Sequence, residues 1–280
     1  MTAGVRLRVV ADDVGQSAAI DDGVAALARA GHLSAASVLV RAPGALAALA
    51  ALDGVVPLGV HVQLEPAELA GASSAQITAL ITEQVEAMIT AGYSPAHLDL
   101  HTAALYGLAE GERRTGERRT GGRHTGERRT GARRTGGRCT GAAREGGVLA
   151  EAIAVAAAYR LRFRLPRRAP VGLSGAHLAA HARAVAAAQA AGVELPDVLI
   201  TEMPDAAAVP AFLAELSNLL ASGPDGPTTA PLRTGPQPQG LRGEVELVTH
   251  PALRADPGDP LGPERVRQHA LLASGALHPR

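Results

Sequence analysis

Short apolar runs alternate with stretches of helical periodicity along the whole chain, and this alternation limits the fold more than any other feature. The runs are RLRVVADD (6–13), SAASVLV (34–40), PLGVHVQL (57–64), AHLDLH (96–101), RFRLP (162–166), VLI (198–200) and EVELVTH (244–250). Runs of this length, rich in Val and Leu and closed by polar residues, read as buried strands. Between them the spacing predicts helices over 17–30, 44–52, 74–91, 147–159, 175–191, 205–222 and 263–275. In the first, Ser17 is placed to cap, Ile20, Val24 and Leu27 recur on one face, and Gly31 is a stop. In the third, Ile77, Leu80, Ile81, Val85, Met88 and Ile89 form one stripe. Strand and helix in turn argue for a mainly parallel sheet with helices outside. About seven strands suit a barrel or a doubly wound sheet, and the placement of polar residues favours an α/β fold of the distorted (β/α) barrel type.

Composition removes several classes of function. The chain is 280 residues with 46% hydrophobic residues, enough for a large core. Only 2% are aromatic (Tyr93, Tyr106, Tyr159, Phe163 and Phe212), too few for a stacking platform for single-stranded nucleic acid. A lone cysteine, Cys139, excludes a disulfide framework and a thiolate zinc cluster. The N-terminus lacks an apolar segment of signal-peptide length, and no run is long enough to span a bilayer. The expectation is a cytoplasmic protein without membrane contact.

The net charge of zero hides an asymmetry. Residues 111–145 carry 11 Arg and 4 Glu, a local balance of +7, so the remainder is equally acidic. This segment repeats a pentapeptide, GERRT GERRT GGRHT GERRT GARRT GGRCT. It offers no large apolar residues to bury, and a Gly at every fifth position opposes helix. Residues 110–146 are therefore expected to be a disordered, low-complexity insertion within a single domain spanning 1–280. Such a segment could bind nucleic acid or another anion electrostatically. No folded nucleic-acid motif accompanies it, so expansion of a short DNA repeat is the simpler account.

Four expected strands end in groups able to bind metal or move protons: Asp12 and Asp13, His61, Asp99 with His101, and His250. In a parallel barrel the carboxyl ends of the strands share one face, so these residues can converge although far apart in sequence. Two imidazoles and a carboxylate are a common ligand set for a divalent ion. A neighbouring carboxylate can take a proton from water, and a further His can serve a leaving group. Each residue also has a plainer reading. Asp12–Asp13 could cap the next helix, and His61 could be a satisfied core histidine. Asp99 and His101 could form a structural hydrogen bond, and His250 before Pro251 could be a turn residue. His97, at the start of its strand, reads as structural. Phosphate loops, nucleophile elbows and HExxH helices are missing from the sequence.

Five segments, in order, resemble the YdjC-like carbohydrate (chitooligosaccharide) deacetylase family: VVADDVGQSAAIDDGVAALARAGHLSAASVLV, PLGVHVQL, SPAHLDLH, AAAYRLRFRLPR and GEVELVTHP. The resemblance runs along most of 5–270, outside the repeat. It implies a (β/α)-barrel-like fold and metal-dependent removal of N-acetyl groups from amino sugars. By the same resemblance Asp13, His61 and His101 would be the metal ligands and Asp12 the base. His250 would be the acid or an oxyanion partner, and Arg164 would orient substrate or Asp12. The sequence departs from the family where His101 is followed by Thr102 and Ala103 instead of a second His, and where Val14 replaces a usual aromatic.

The expectation is a metal-dependent deacetylase with one divalent ion, Mg2+ or Zn2+, acting on a small N-acetylated sugar. A homodimer is left open, and nucleic acid is disfavoured as a partner. The alternatives are another metal-dependent hydrolase on the same fold, a phosphoesterase or amidohydrolase, or a non-catalytic scaffold with an Arg-rich anion-binding arm.

Overall fold

The computed structural model describes residues 6–107, 147–170, 173, 175–221 and 243–279. The pentapeptide segment, with Cys139, lies outside the described residues. Seven strands, β1 (Arg6–Val14), β2 (Ala35–Val38), β3 (Leu58–Val62), β4 (His97–Leu100), β5 (Arg162–Phe163), β6 (Val198–Ile200) and β7 (Glu244–Thr249), form one sheet in the order β5-β4-β3-β2-β1-β7-β6. Every pairing is parallel. The sheet curls into a half-barrel, as the alternation of strands and helices predicts.

The open seam falls between β5 and β6, and the backbone bridges it. The N–H groups of Phe163, Arg167 and Arg168 donate to the carbonyls of Glu194, Pro196 and Asp197 at 3.0, 2.8 and 2.9 Å. The expected strand 162–166 shortens to two residues for the same reason. After Arg164 N–H reaches Leu98 O, the chain turns away at Pro166, which has no N–H to continue a ladder.

The helices are α1 (Ala18–Arg29), α2 (Ala45–Leu52), α3 (Pro66–Leu69), α4 (Ser74–Thr90), α5 (Leu149–Ala158), α6 (Gly175–Ala190), α7 (Val209–Ala221) and α8 (Gly262–Ala273). Seven match expected segments. The short α3 carries no apolar periodicity to announce it and buries none of its residues. Ser17 caps α1 by accepting from Ile20 N–H, and Ile20, Val24 and Leu27 are buried as the spacing requires. Ser73 and Gln76 form a capping box on α4, which buries Ile77, Ile81, Val85 and Met88. Ile89, at the edge of that stripe, stays exposed. The core between sheet and helices is made of Val, Leu, Ile and Ala, with few aromatics.

The other face of the sheet is polar. Arg8 and Asp12 on β1, Ser37 on β2, His61 on β3, His97 and Asp99 on β4, Arg164 after β5, and Glu244 and Glu246 on β7 contact one another across the inside of the curl. Residues two apart share a face of a strand, so each strand contributes one or two of them. This interior fits only because β3 gives way to His97. Gly59 pairs with His97, and a Cβ on Gly59 would lie 2.2–2.4 Å from the imidazole ring.

Gly107 and Gly147 flank the undescribed stretch and lie side by side. Val148 N–H donates to Leu105 O at 2.9 Å. The chain therefore leaves and re-enters the fold at one point, just past the carboxyl end of β4. A long insertion there costs little, since closure entropy grows only with the logarithm of length.

Candidate active site

The sequence places Asp12 and Asp13 side by side, and a regular strand would send them to opposite faces. The backbone solves this with a bulge. The β1–β2 register shifts between Ala11 and Val14, and Asp13 adopts φ 63°, a left-handed conformation that a non-glycine residue seldom takes. Both carboxylates thereby reach the carboxyl end of the barrel, where His61, His101 and His250 also lie.

Three atoms converge there. Asp13 Oδ1 stands 3.4 Å from His61 Nε2 and 3.2 Å from His101 Nδ1, and the ligand atoms of all three residues lie within 4.8 Å of one another. All three atoms are buried, and none makes a hydrogen bond of acceptable geometry. A buried polar atom left without a partner costs free energy, and three of them facing one point fit a shared cation. The donor set, two imidazoles and one carboxylate, suits a divalent metal with positions left for water and substrate.

The next layer fixes these donors. Asp99 accepts a short hydrogen bond from His61 Nδ1, which turns Nε2 toward Asp13 and His101. Ser37 Oγ donates to the other Asp99 oxygen at 2.6 Å and lies 2.8 Å from His97 Nε2. Arg265 on α8 donates from Nη2 to Asp13 Oδ2 at 2.7 Å and from Nε to Asp259 at 2.8 Å. Asp13 is thus held by one oxygen and free at the other.

Asp12 is gripped differently. Arg164 donates to both of its oxygens, at 2.5 and 2.9 Å, a bidentate clamp. The same guanidinium reaches Asp99 Oδ2 at 2.9 Å and Glu246 Oε1 at 2.6 Å. A second group able to hold an ion, Asp12, His61 and Asp99, overlaps the first. Its carboxylates are already occupied by Arg164, and His61 uses Nδ1 on Asp99.

The electrostatics follow from this crowd of acids. Burial opposes the charged form of His61, but Asp99, then Asp12 and Asp13, outweigh it and raise the imidazole to about 10. Burial would raise the Asp13 carboxyl, yet His101 and His61 hold it well below the usual range. Burial lowers His97 to about 4, so it stays neutral. Burial also lowers His250. The surroundings of His61 favour a cation.

Asp12, His101, Arg164 and His250 line one cleft of about 190 Å³. The backbone N–H of His250 donates to Gln268 Oε1 at 2.7 Å, which ties it to α8. The remaining wall is largely apolar, from Leu100, Leu149, Leu165, Leu199 and Val248. His177 and His181, one turn apart on α6, also face the cleft, and His181 Nε2 is tied to Pro166 O at 2.8 Å. Tyr106 lines it too, its hydroxyl accepting from Leu100 N–H at 3.2 Å.

The structure brings Asp12, Asp13, His61, His101, His250 and Arg164 to this one end. His97 and Asp99 lie beneath it as supports. Sequence reasoning missed Arg265, Glu246 and Ser37. Glu246 could have been found, because it stands four residues before His250 on the face of the strand it shares with Glu244, opposite Val245 and Leu247. Arg265 on α8 gave no such signal.

A parallel α/β half-barrel with a metal-capable Asp–His cluster at the carboxyl ends of its strands defines a class of protein. The model of the YdjC-like protein family matches residues 6–111, which hold Asp12, Asp13, His61 and His101. That match is in keeping with the resemblance of the motifs along the rest of the chain. The fold is similar to that of a solved protein from Enterococcus faecalis V583, provisionally assigned to cellobiose-phosphate cleavage. The two share 16% identity with a TM-score of 0.61, over 98% of this chain and 92% of that one. Comparison with curated proteins gives no match. Among the described residues, no helix is long and apolar enough to cross a membrane.

Proposed function

We propose that the protein is a divalent-metal-dependent hydrolase that removes an N-acetyl group from an amino sugar or a related amide. The observation that carries this reading is the convergence of Asp13 Oδ1, His61 Nε2 and His101 Nδ1, three buried atoms without hydrogen bonds, beside a clamped carboxylate on the wall of a cleft. Asp13, His61 and His101 would hold the ion, zinc or magnesium. When bound, the ion supplies a Lewis acid that polarises the amide carbonyl and eases the deprotonation of water.

Asp12 takes the proton of the attacking water. Its two-point grip on Arg164 fixes the plane of the carboxylate, so the base is aimed before substrate arrives. The neutral form of His250 that burial favours suits an N–H donated to the carbonyl oxygen as charge develops there. The proton gained by Asp12 then passes to the departing amine nitrogen as the C–N bond breaks. The products are acetate and the free amine. A phosphoesterase with two ions is a poorer fit, because Arg164 already occupies Asp12 and Asp99.

Two variants separate the roles. Asp12→Asn should retain bound metal and lose turnover of N-acetylglucosamine oligosaccharides, whereas Asp13→Asn should lose the metal itself. Undiminished acetate release without the Asp12 carboxylate would overturn the mechanism.

A further inference from the structure

We infer that Glu246 is a positioning residue for the reaction, acting through Arg164 on Asp12; the inference rests on the reading of Asp12 as the base. The guanidinium of Arg164 is planar, and its three nitrogens are divided among four strands. Nη1 and Nη2 clamp Asp12 of β1, and Nη2 also meets Asp99 of β4 and, at 3.4 Å, Ser37 Oγ of β2. Nε is the one nitrogen that does not touch Asp12, and it donates to Glu246 Oε1 of β7 at 2.6 Å, fixing the stem side of the plane.

Arg164 needs such a stop. It projects just beyond β5, a strand of two residues at one edge of the sheet, and crosses the interior to reach β1. A long, rotatable side chain on a short strand does not by itself aim a fork. Glu246 can, because it sits on a fully laddered strand, opposite Arg8 in the β1–β7 register. Arg8 Nε approaches its second oxygen at 3.7 Å. Glu246 and Asp12 therefore grip opposite edges of one guanidinium, and β7 and β1 are neighbours in register. The geometry passes from a rigid strand to Arg164 and from Arg164 to the base.

A control is built into the same strand. Glu244 is also buried and faces the interior, but it pairs with Arg162 and Arg8 and makes no contact with Arg164. Removing the Glu246 charge leaves buried Arg164 short of a partner, and removing the Glu244 charge leaves half-buried Arg162 with its bond to Glu194. Only one of the two changes touches the clamp.

The test compares Glu246→Gln with Glu244→Gln in the full-length, metal-loaded protein. Glu246→Gln should lower kcat by about tenfold or more, the scale of a small misplacement of a reacting group, with KM and bound metal unchanged. Glu244→Gln should keep its kcat. Equal kcat losses in both, or none in Glu246→Gln, would overturn the inference. If Glu246→Gln does not fold, Glu246→Asp keeps the charge but withdraws the carboxylate, and it should lose kcat likewise; full kcat would refute the proposal. A crystal structure of the folded variant tests the same point without turnover, so the inference survives or fails even if the wild-type protein releases no acetate. Asp12 should leave its two-point contact with Arg164, and an unmoved clamp would count against the role.

Discussion

Replacing Arg164 with Met removes a single cation that serves three carboxylates, and the cost follows from their burial. The Arg164 side chain is 4% exposed, and those of Asp12, Asp99 and Glu246 are 3%, 0% and 6% exposed. Solvent cannot screen the charges left behind. Breaking one buried pair by removing a partner costs about 3–5 kcal/mol, against a total stability of roughly 5–15 kcal/mol for a typical domain. The loss at neutral pH should therefore be on the order of 3–5 kcal/mol, and Met keeps enough apolar volume to avoid a large cavity. Urea unfolding at pH 7, followed by circular dichroism, reads it. The pH dependence supplies a second check. In the wild type, burial would raise the Asp99 carboxyl, but Arg164 and then His61 hold it well below the usual range. That stabilisation is present above the unfolded value of about 3.9 and is lost as pH falls through the lower folded value. In the variant the carboxyls lack their cation and take up protons sooner as pH falls. The gap between the two proteins should narrow with falling pH. A loss below about 1 kcal/mol, the scale of an exposed pair, or a gap that does not change with pH, would refute the reasoning.

Other consequences can be measured directly. Gly59→Ala puts a methyl group into the ring of His97 and should destabilise by about 1–3 kcal/mol or more, the range for overpacking, seen as a lower Tm. His97 is lowered by burial to about 4 from its ordinary value of 6.5. An imidazole lowered in this way contributes stability above its unfolded value and loses it as pH falls toward 4. Unfolding curves at pH 7 and pH 5 should differ less in His97→Gln than in the wild type. Arg265→Met frees the second oxygen of Asp13, and metal affinity should fall about 10–100-fold, the usual effect of removing a support of a ligand; an unchanged dissociation constant by calorimetry would show that Asp13 needs no such support.

Much of the barrel was legible because its signals are local. Seven apolar runs gave seven strands, and the order of strand and helix gave the parallel sheet. The site was legible for a similar reason: polar residues at strand ends lie on one face of such a sheet whatever their separation in sequence. What escaped depends on backbone detail and on distant pairing. The bulge that turns Asp13 beside Asp12 has no residue signature in VVADDVG apart from the doubled acid. Gly59 looked like an ordinary strand residue, because its need for space is set by His97 on the next strand. Arg265 lies on a helix whose periodicity shows which face is buried but not that an arginine on it reaches the carboxyl end of β1. Arg164 and Glu246 are 82 residues apart, and only the curl of the sheet brings them together.

The central claim is that a metal held by Asp13, His61 and His101 serves an amide hydrolysis. Acetate release from N-acetylglucosamine oligosaccharides, measured with and without a chelator, tests it most directly. The account predicts release that the chelator abolishes and that added divalent metal restores. Release that is indifferent to the chelator, or none from protein shown to hold one metal ion per chain, would contradict it.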